Sequence, residues 1–325
     1  MFTKKNRDYN LIPEYFEEFM KTYENSLKSK VNIINTIISY ISKKKGKKLR
    51  PSICLLAAKL CGEPNKNTYR AAALLEMIHV ATLIHDDVVD EANIRRGWPS
   101  VNKIWKNKLS ILVGDYMFSK ALINMVEIEN IKALKILSTT AKRLSEGEIL
   151  QIEKTIKREM SEEIYYEMIS DKTASLFSAS CELGCVTVCE DLDKLNALSL
   201  FGNKFGMVFQ IRDDLLDLIG NIDTLGKPTI LDIKKNIQTL PLIYVMNRLD
   251  KKEKKEFRKL LNYHIKRTEK NKIVSLIKEQ GGVEYAQKQI DRLSNEAREH
   301  LEIFPDSVYK TALLSTLSLN TSRMK

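Results

Sequence analysis

Breaker residues are scarce in this chain of 325 residues, which contains only 12 glycines and 7 prolines. Such a low content of turn-forming residues disfavours folds built from many short strands, because each tight turn needs residues of this kind. Leucine, lysine and glutamate, which are good helix formers, are abundant instead. The composition therefore predicts long helices rather than a sheet.

The chain also lacks a CxxC motif, and its five cysteines are an odd number that cannot all form disulfides within the chain. This pattern favours reduced, buried thiols over a disulfide framework or a zinc site. The first ten residues, MFTKKNRDYN, contain no apolar run typical of a signal peptide. No apolar stretch reaches the roughly 18 residues that would argue for a membrane span. We therefore expect a soluble protein in the cytoplasm.

Acidic residues are too few to balance the basic ones, which leaves a formal net charge of +11. A basic chain indicates an anionic partner, such as nucleic acid, a membrane surface or a phosphorylated small molecule. Aromatic residues make up only 7% and do not alternate with the basic runs, which disfavours nucleic acid. No nucleic-acid partner is therefore expected.

Apolar spacing predicts helices along almost the whole chain. One helix is expected over 14–42, and the next begins at Pro51, whose ring suits a first helical turn. Thr68 is expected to cap a long helix that ends near Glu91. The remaining helices are predicted over 107–128, 130–157, 161–188, 191–219, 239–249, 252–262, 268–279, 283–302 and 306–319. No linker interrupts them, so residues 1–325 are expected to form a single domain.

The most informative pattern is a repeated cluster of aspartates. The segments DDVVD and DDLLD share one spacing and contain the only Asp-Asp pairs of the chain. On a helix this spacing puts carboxylates on one face, where their like charges repel. Mg²⁺ offsets such repulsion and prefers carboxylate, water and phosphate oxygens. The predicted magnesium ligands are Asp86, Asp87, Asp90, Asp213, Asp214 and Asp217.

Basic side chains occur beside both clusters, as a bound diphosphate requires. Arginine can contact a phosphate with two N–H groups, whereas lysine acts as a mobile charge. The predicted phosphate-binding residues are Lys47, Arg50, Arg95, Arg96, Lys172 and Lys227. His79 lies seven residues before the first cluster, where a binding role and an ordinary core role fit equally well.

Together these motifs resemble the polyprenyl synthetase family of trans-isoprenyl diphosphate synthases. The resemblance runs from about Lys43 to the C-terminus and includes GKKLRP, LIHDDVVDEANIRRGWPS, DKTASLFSAS, GMVFQIRDDLLDLIG and GKPT. It implies an all-α, single-domain bundle of about ten or more helices around a central active-site cavity, as in isoprenoid synthases. It also implies a homodimer with three Mg²⁺ per active site, and it leaves a transient membrane contact during product release open.

The resemblance also implies a reaction, in which isopentenyl diphosphate is joined head-to-tail to an allylic diphosphate. The residues that would hold the allylic diphosphate are Arg95, Lys172 and Lys227. Those that would hold isopentenyl diphosphate are Lys47, Arg50, His79 and Arg96. Those that would line the reacting centre are Thr173 and Gln210. Two positions depart from the family pattern, because Ile230 replaces a usual glycine and Ile237 a usual lysine.

Small residues precede the first cluster. Ala81 and Thr82 stand where short-chain members of the family carry aromatic side chains that block the growing tail. We therefore expect a long-chain product, for example octaprenyl diphosphate for a quinone side chain. A short-chain geranylgeranyl or farnesyl diphosphate synthase and a non-catalytic subunit of a heteromeric synthase are the alternatives. Apolar residues of the 107–128 helix, such as Met117, Leu122 and Met125, could close the tunnel.

Overall fold

The chain folds almost entirely into helices in a computed structural model, which describes residues 11–43, 46–95, 97–219, 237–261 and 267–321. The helices are α1 (Pro13–Ser26), α2 (Asn32–Lys43), α3 (Leu49–Cys61), α4 (Lys66–Val89), α5 (Val101–Val126), α6 (Ile131–Lys157), α7 (Glu162–Ile169), α8 (Ser175–Val186), α9 (Leu192–Ile219), α10 (Leu240–Arg248), α11 (Lys251–Leu261), α12 (Arg267–Glu279), α13 (Gly282–His300) and α14 (Val308–Thr321). A π-helical turn, Ser170–Ala174, joins α7 to α8. The prediction of an all-α fold is confirmed.

Two compact units make up the chain. The first comprises Met1–Thr139, Leu176–Leu200 and His300–Thr316. The second comprises Thr140–Ser175, Phe201–Glu299 and Leu317–Lys325. The DDVVD motif belongs to the first unit and the DDLLD motif to the second. The single domain over residues 1–325 therefore stays a prediction.

Helix α4 runs through the core of the first unit and carries buried apolar residues on most of its sides. It begins with a capping box, in which the Asn65 side chain accepts hydrogen bonds from the backbone N–H groups of Asn67 and Thr68 at 2.9 and 3.3 Å. Thr68 returns the bond, because its hydroxyl accepts from the Asn65 N–H at 3.1 Å. The cap is thus Asn65, and the prediction of Thr68 was wrong by three residues.

The predicted helix over 14–42 was also wrong, since the chain breaks between α1 and α2. Asn35 accepts a hydrogen bond from the Ser29 N–H at 3.0 Å and donates to the Ser29 carbonyl at 2.8 Å. The Ser29 hydroxyl accepts from the Val31 N–H at 3.1 Å. These local bonds satisfy backbone groups outside a helix and so compete with helix formation.

A short hairpin follows α4. Its strands are β1 (Ile94–Arg95) and β2 (Trp98–Pro99), which pair antiparallel, with Arg95 opposite Trp98. Gly97 occupies the turn with φ 78°, in the left-handed region that glycine adopts without a steric penalty. The reversal brings Arg95 back toward the last turn of α4.

Helix α5 carries apolar residues on two opposite sides. Met117, Ala121 and Met125 are buried on one side. The other side, here called the outer stripe, consists of the exposed residues Ile111, Leu112, Leu122, Ile123 and Val126. At 100° per residue these five fall within an arc of about 120°.

Because both sides of α5 are apolar, this helix is long and apolar enough to cross a membrane, judged by length and composition alone. This differs from the expectation that no such segment exists. Of the three predicted tunnel-closing residues, Met117 and Met125 are buried, whereas Leu122 is 59% exposed on the outer stripe.

In the second unit a buried cluster packs the end of α9 against the C-terminal helices. Leu218, which directly follows the DDLLD motif, belongs to it. The other members are Leu242, Val245, Met246, Leu249, Phe257, Ile273 and Ile277. A well-packed anchor of this kind limits the movement of the helix end that carries the motif.

The cysteines are all free, as expected. Cys54, Cys181 and Cys185 are buried, and burial raises the pKa of the Cys54 thiol above its ordinary value. Cys61 and Cys189 are partly exposed, so the expectation of burial holds for three of the five.

Candidate active site

The first aspartate motif forms the last turn of α4. Asp86 is partly exposed and Asp90 is exposed, whereas only 3% of Asp87 is exposed. Asp87 accepts a hydrogen bond from Arg95 Nε at 2.6 Å, and its carbonyl accepts one from Asn102 Nδ2 at 3.0 Å. The hairpin and the start of α5 therefore hold the motif in place through Asp87, the second of its three aspartates. The first and third, called the outer aspartates, stay accessible.

Arg50 and His79, both predicted to hold isopentenyl diphosphate, lie together in the first unit. Arg50 Nη1 is 3.2 Å from His79 Nε2, and the guanidinium lies 4.4 Å from the ring centroid of Phe177. Stacking on an aromatic face fixes the plane of a guanidinium group while its N–H donors stay directed outward. The arrangement suits recognition of an anion by Arg50.

The two neighbouring lysines before α3 differ in their surroundings. Lys47 is exposed in the loop. Lys48 instead has φ 48° and places Nζ 3.1 Å from Oε1 of Glu76, which is buried on α4. The same ammonium lies 4.5 Å from the ring centroid of Tyr23, whose pKa is raised by burial and by the charge of Glu76. Lys48 is thus held against the core by Glu76 and Tyr23, whereas the Lys47 side chain is exposed.

The second aspartate motif lies near the end of α9 and repeats the division seen in the first. Asp213 is exposed and Asp217 is partly exposed. The middle residue, Asp214, is buried and accepts hydrogen bonds on both oxygens, from Tyr165 Oη at 2.5 Å and from Gln210 Nε2 at 2.7 Å. Two short hydrogen bonds, one to each oxygen, hold this buried side chain firmly.

Thr173 and Gln210, predicted to line the reacting centre, are in direct contact. The Thr173 hydroxyl donates to Gln210 Oε1 at 2.7 Å. Since Gln210 in turn donates to Asp214, one hydrogen-bonded chain joins the π turn to the second motif. The amide is oriented by partners on both of its ends, which fixes the position of the threonine oxygen.

Lys172 occupies the same π turn and contacts two side chains that sequence reasoning missed. Its Nζ lies 2.5 Å from Oε2 of Glu148 and 3.1 Å from Oε1 of Gln151, both on α6. The spacing of Glu148 and Gln151, three residues apart on a predicted helix, was the available signal. Tyr165 was missed as well, because nothing local links it to a residue 49 positions later.

No group of three or more His, Cys, Asp or Glu side chains in the described ranges is arranged to hold a metal ion by itself. Mg²⁺ does not require such a group, because it is usually bound through one or two carboxylates together with substrate phosphates and water. Each motif offers two accessible carboxylates of this type. The donor set therefore fits magnesium that binds together with a diphosphate.

Three residues singled out from the sequence, Arg96, Lys227 and Ile230, lie outside the residues that the structure describes. Ile237, which stands where the family usually has lysine, is partly exposed just before α10. Its apolar side chain cannot supply the phosphate contact that a lysine would make.

Comparison with known proteins gives one consistent result. The model of the family described as polyprenyl synthetase matches residues 31–279. The all-trans-nonaprenyl-diphosphate synthase (geranyl-diphosphate specific) of Rhodobacter capsulatus is 34% identical over 300 residues, 92% of each chain. The octaprenyl diphosphate synthase of Haemophilus influenzae is 33% identical over 297 residues, 91% of this chain and 90% of the relative.

A solved structure agrees with these relatives. The polyprenyl synthase of Caulobacter crescentus CB15, crystallised with calcium and isoprenyl diphosphate, superposes with a TM-score of 0.91 at 33% identity. The alignment covers 98% of each chain.

Proposed function

The chain belongs to the polyprenyl synthetase family, and we propose that it is a magnesium-dependent trans-prenyltransferase that builds a long-chain polyprenyl diphosphate from isopentenyl diphosphate and an allylic primer. One observation carries the proposal. In each aspartate motif the second aspartate, Asp87 or Asp214, is buried and hydrogen-bonded, while the first and third remain accessible. Two motifs that each leave a pair of carboxylates accessible are the arrangement expected if both bind magnesium together with a diphosphate.

Magnesium, when bound, supplies positive charge that stabilises the departing diphosphate. We assign the accessible carboxylates Asp86, Asp90, Asp213 and Asp217 to holding it, with three ions per site as the proposed number. Asp87 and Asp214 keep the two motifs in place through their buried hydrogen bonds. This refines the prediction that all six aspartates are ligands.

The remaining residues bind the two substrates and stabilise the positive charge that develops during the reaction. Lys172 binds oxygens of the allylic diphosphate, while Lys47, Arg50 and His79 hold isopentenyl diphosphate close to the allylic carbon. The bond between that carbon and the diphosphate oxygen breaks, and the isopentenyl double bond attacks the resulting cation. A proton then leaves to the released diphosphate, which restores a double bond. Until the proton leaves, the oxygen dipoles of Thr173 and Gln210 stabilise the positive charge on the carbon chain.

Turnover by the purified chain alone tests this function. The chain is incubated with Mg²⁺, farnesyl diphosphate and labelled isopentenyl diphosphate, and the products are separated by length. We expect magnesium-dependent products longer than geranylgeranyl diphosphate. With geranyl diphosphate as a second primer, products that stop at farnesyl or geranylgeranyl diphosphate would identify the short-chain alternative. Absence of turnover with both primers unless a second chain is added would identify the non-catalytic subunit.

Product length provides a test at Ala81, which is buried five residues before Asp86, beside Thr82. If the hydrocarbon tail passes this position, Ala81→Phe should give shorter products and leave the thermal midpoint nearly unchanged. If Ala81 is instead plain core, the larger ring should overpack it, at a cost of about 1–3 kcal/mol, with product length unchanged. Product chromatography and thermal unfolding of the same preparation separate the two outcomes.

A homodimer is the proposed assembly, and the outer stripe of α5 is the proposed interface. Exposed apolar side chains that are continuous along one helix face mark an interaction surface. Leu122→Glu combined with Val126→Glu should shift the chain to a monomer in sedimentation velocity, because both introduce charge into this stripe. Lys255→Glu, at an exposed position of α11, is the control. A dimer that survives the double substitution would place the interface elsewhere.

A cytoplasmic location and a brief membrane contact during product release remain part of the proposal. The hairpin supports the second, because Ile94 and Trp98 are 70% and 55% exposed. Aromatic and apolar side chains of this kind are favourable at a lipid headgroup boundary.

A further inference from the structure

The π turn Ser170–Ala174 is unusual, because such turns are rare and occur frequently at functional sites. In it the Ser175 N–H donates to the Ser170 carbonyl, five residues back. Lys172 and Thr173 follow one another in this turn yet contact different helices. Lys172 contacts α6, and Thr173 contacts Gln210 on α9. The local backbone therefore directs two adjacent side chains to separate partners.

Arg143 of α6 holds the beginning of this turn. Its Nε donates to Asp171 Oδ1 at 2.6 Å, and Nη2 donates to the Ser170 carbonyl at 3.2 Å and to the Ser170 hydroxyl at 3.0 Å. Asn203 of α9 also donates to the Ser170 hydroxyl, at 3.1 Å. A guanidinium that bonds a carboxylate and a backbone carbonyl at once fixes both in orientation as well as in distance.

Gly147 lies one turn after Arg143, on the same face of α6. A Cβ atom at this position would lie 2.5 Å from the backbone nitrogen of Lys172 and 3.0 Å from its Cα. The third near atom is Asp171 Cβ, at 3.0 Å, but the closest contact is with backbone, which cannot move aside as the end of a flexible side chain could. The glycine thus lets α6 lie directly against the backbone of Lys172. Glu148 and Gln151 then receive the ammonium group on the same helix.

We propose that Arg143 and Gly147 are positioning residues for Lys172 and Thr173, and that Glu148 holds the Lys172 ammonium until an allylic diphosphate replaces it. The inference rests on the proposed function, in which Lys172 binds that diphosphate. The ion pair is partly exposed, since 28% of Lys172 and 26% of Glu148 are accessible, so a more highly charged anion can displace the carboxylate.

Substitutions at Arg143 test the positioning role. Arg143→Gln should lower kcat/KM for the allylic diphosphate by roughly 10²-fold, the effect of a small misplacement, while KM for isopentenyl diphosphate stays nearly the same. Arg143→Lys keeps the charge and should recover part of the loss. The matched control is Lys142→Gln, because Lys142 is the exposed neighbour on α6 and should leave both substrates unaffected. Equal changes for both substrates, or no change, would overturn the inference.

Glu148→Gln tests the holding role and preserves the shape of the side chain. Binding of an unreactive allylic thiodiphosphate should become several-fold tighter, because no ion pair has to be broken first. Unchanged or weaker binding would overturn this part. Gly147→Ala should reproduce the kinetic loss of Arg143→Gln, with thermal unfolding measured alongside to detect misfolding.

Lys172→Gln separates the inference from the function on which it rests. If this substitution leaves allylic binding intact, the proposed role of Lys172 fails whatever happens at Arg143. If it weakens allylic binding but Arg143→Gln does not, only the positioning role fails.

Discussion

Replacing either Asp86 or Asp213 with asparagine should lower kcat for chain elongation by roughly 10²–10³-fold, because each change removes a carboxylate that holds charge-stabilising magnesium near the departing diphosphate. Both residues are accessible, and asparagine keeps the size of the side chain and one of its oxygen acceptors. The thermal midpoint should therefore stay close to that of the unmodified chain. The measurement is steady-state incorporation of labelled isopentenyl diphosphate over a range of Mg²⁺ concentrations.

Two comparisons sharpen this result. Asp193→Asn, at the exposed start of α9, the helix that carries Asp213, should have no kinetic effect. Asp214→Asn should instead lower stability, because the buried carboxylate accepts hydrogen bonds from both Tyr165 and Gln210. Full activity of Asp86→Asn and Asp213→Asn, with unchanged magnesium dependence, would show that the accessible carboxylates do not bind the metal.

The second large effect is expected at two adjacent lysines. Lys48→Met should lower the free energy of unfolding by about 3 kcal/mol, because it leaves Glu76 buried without its cationic partner. Lys47→Met should leave stability unchanged, since this side chain is exposed, and should raise KM for isopentenyl diphosphate instead. Denaturant unfolding and substrate kinetics on both variants check the pair of outcomes.

Each variant is the control for the other, because the substitution is identical and the positions are adjacent. Equal losses of stability would mean that the contrast between a core lysine and a ligand-binding lysine is incorrect. If KM for isopentenyl diphosphate rises with Lys48→Met alone, Lys48 and not Lys47 binds that substrate.

Much of the candidate site could be predicted because its spacing is local. The aspartates of each motif lie within one helical turn, so the sequence alone places them together at the end of a helix. The pairing of Arg50 with His79 agrees with their predicted shared substrate. Helices were predictable for the same reason, since apolar periodicity reports the face of a helix that is buried.

Features that depend on side-chain contacts between different elements, or on an irregular backbone, were not predictable. The burial of Asp87 and Asp214 depends on Arg95 and Tyr165, and no sequence pattern indicates that these side chains would engage the middle residue of each motif. Which of two adjacent lysines faces the core depends on the backbone at Lys48, whose positive φ no propensity predicts.

Local irregularities were missed for a different reason. The break at Ser29 arises from side-chain hydrogen bonds, and the apolar pattern continues on both sides of it. The π turn adds one residue to a helical turn without ending the helix, so the predicted helix over 161–188 contained it unnoticed.

Equilibrium binding of an unreactive allylic thiodiphosphate tests the central claim most directly, because it requires no turnover and no second substrate. Calorimetry is performed with the unmodified chain, Asp86→Asn and Asp213→Asn, each with Mg²⁺ and with a chelator. The account predicts tight binding only with Mg²⁺, weakened by about tenfold or more when either motif loses its first carboxylate. Binding that is equally tight in the chelator, or unchanged in either variant, would contradict it.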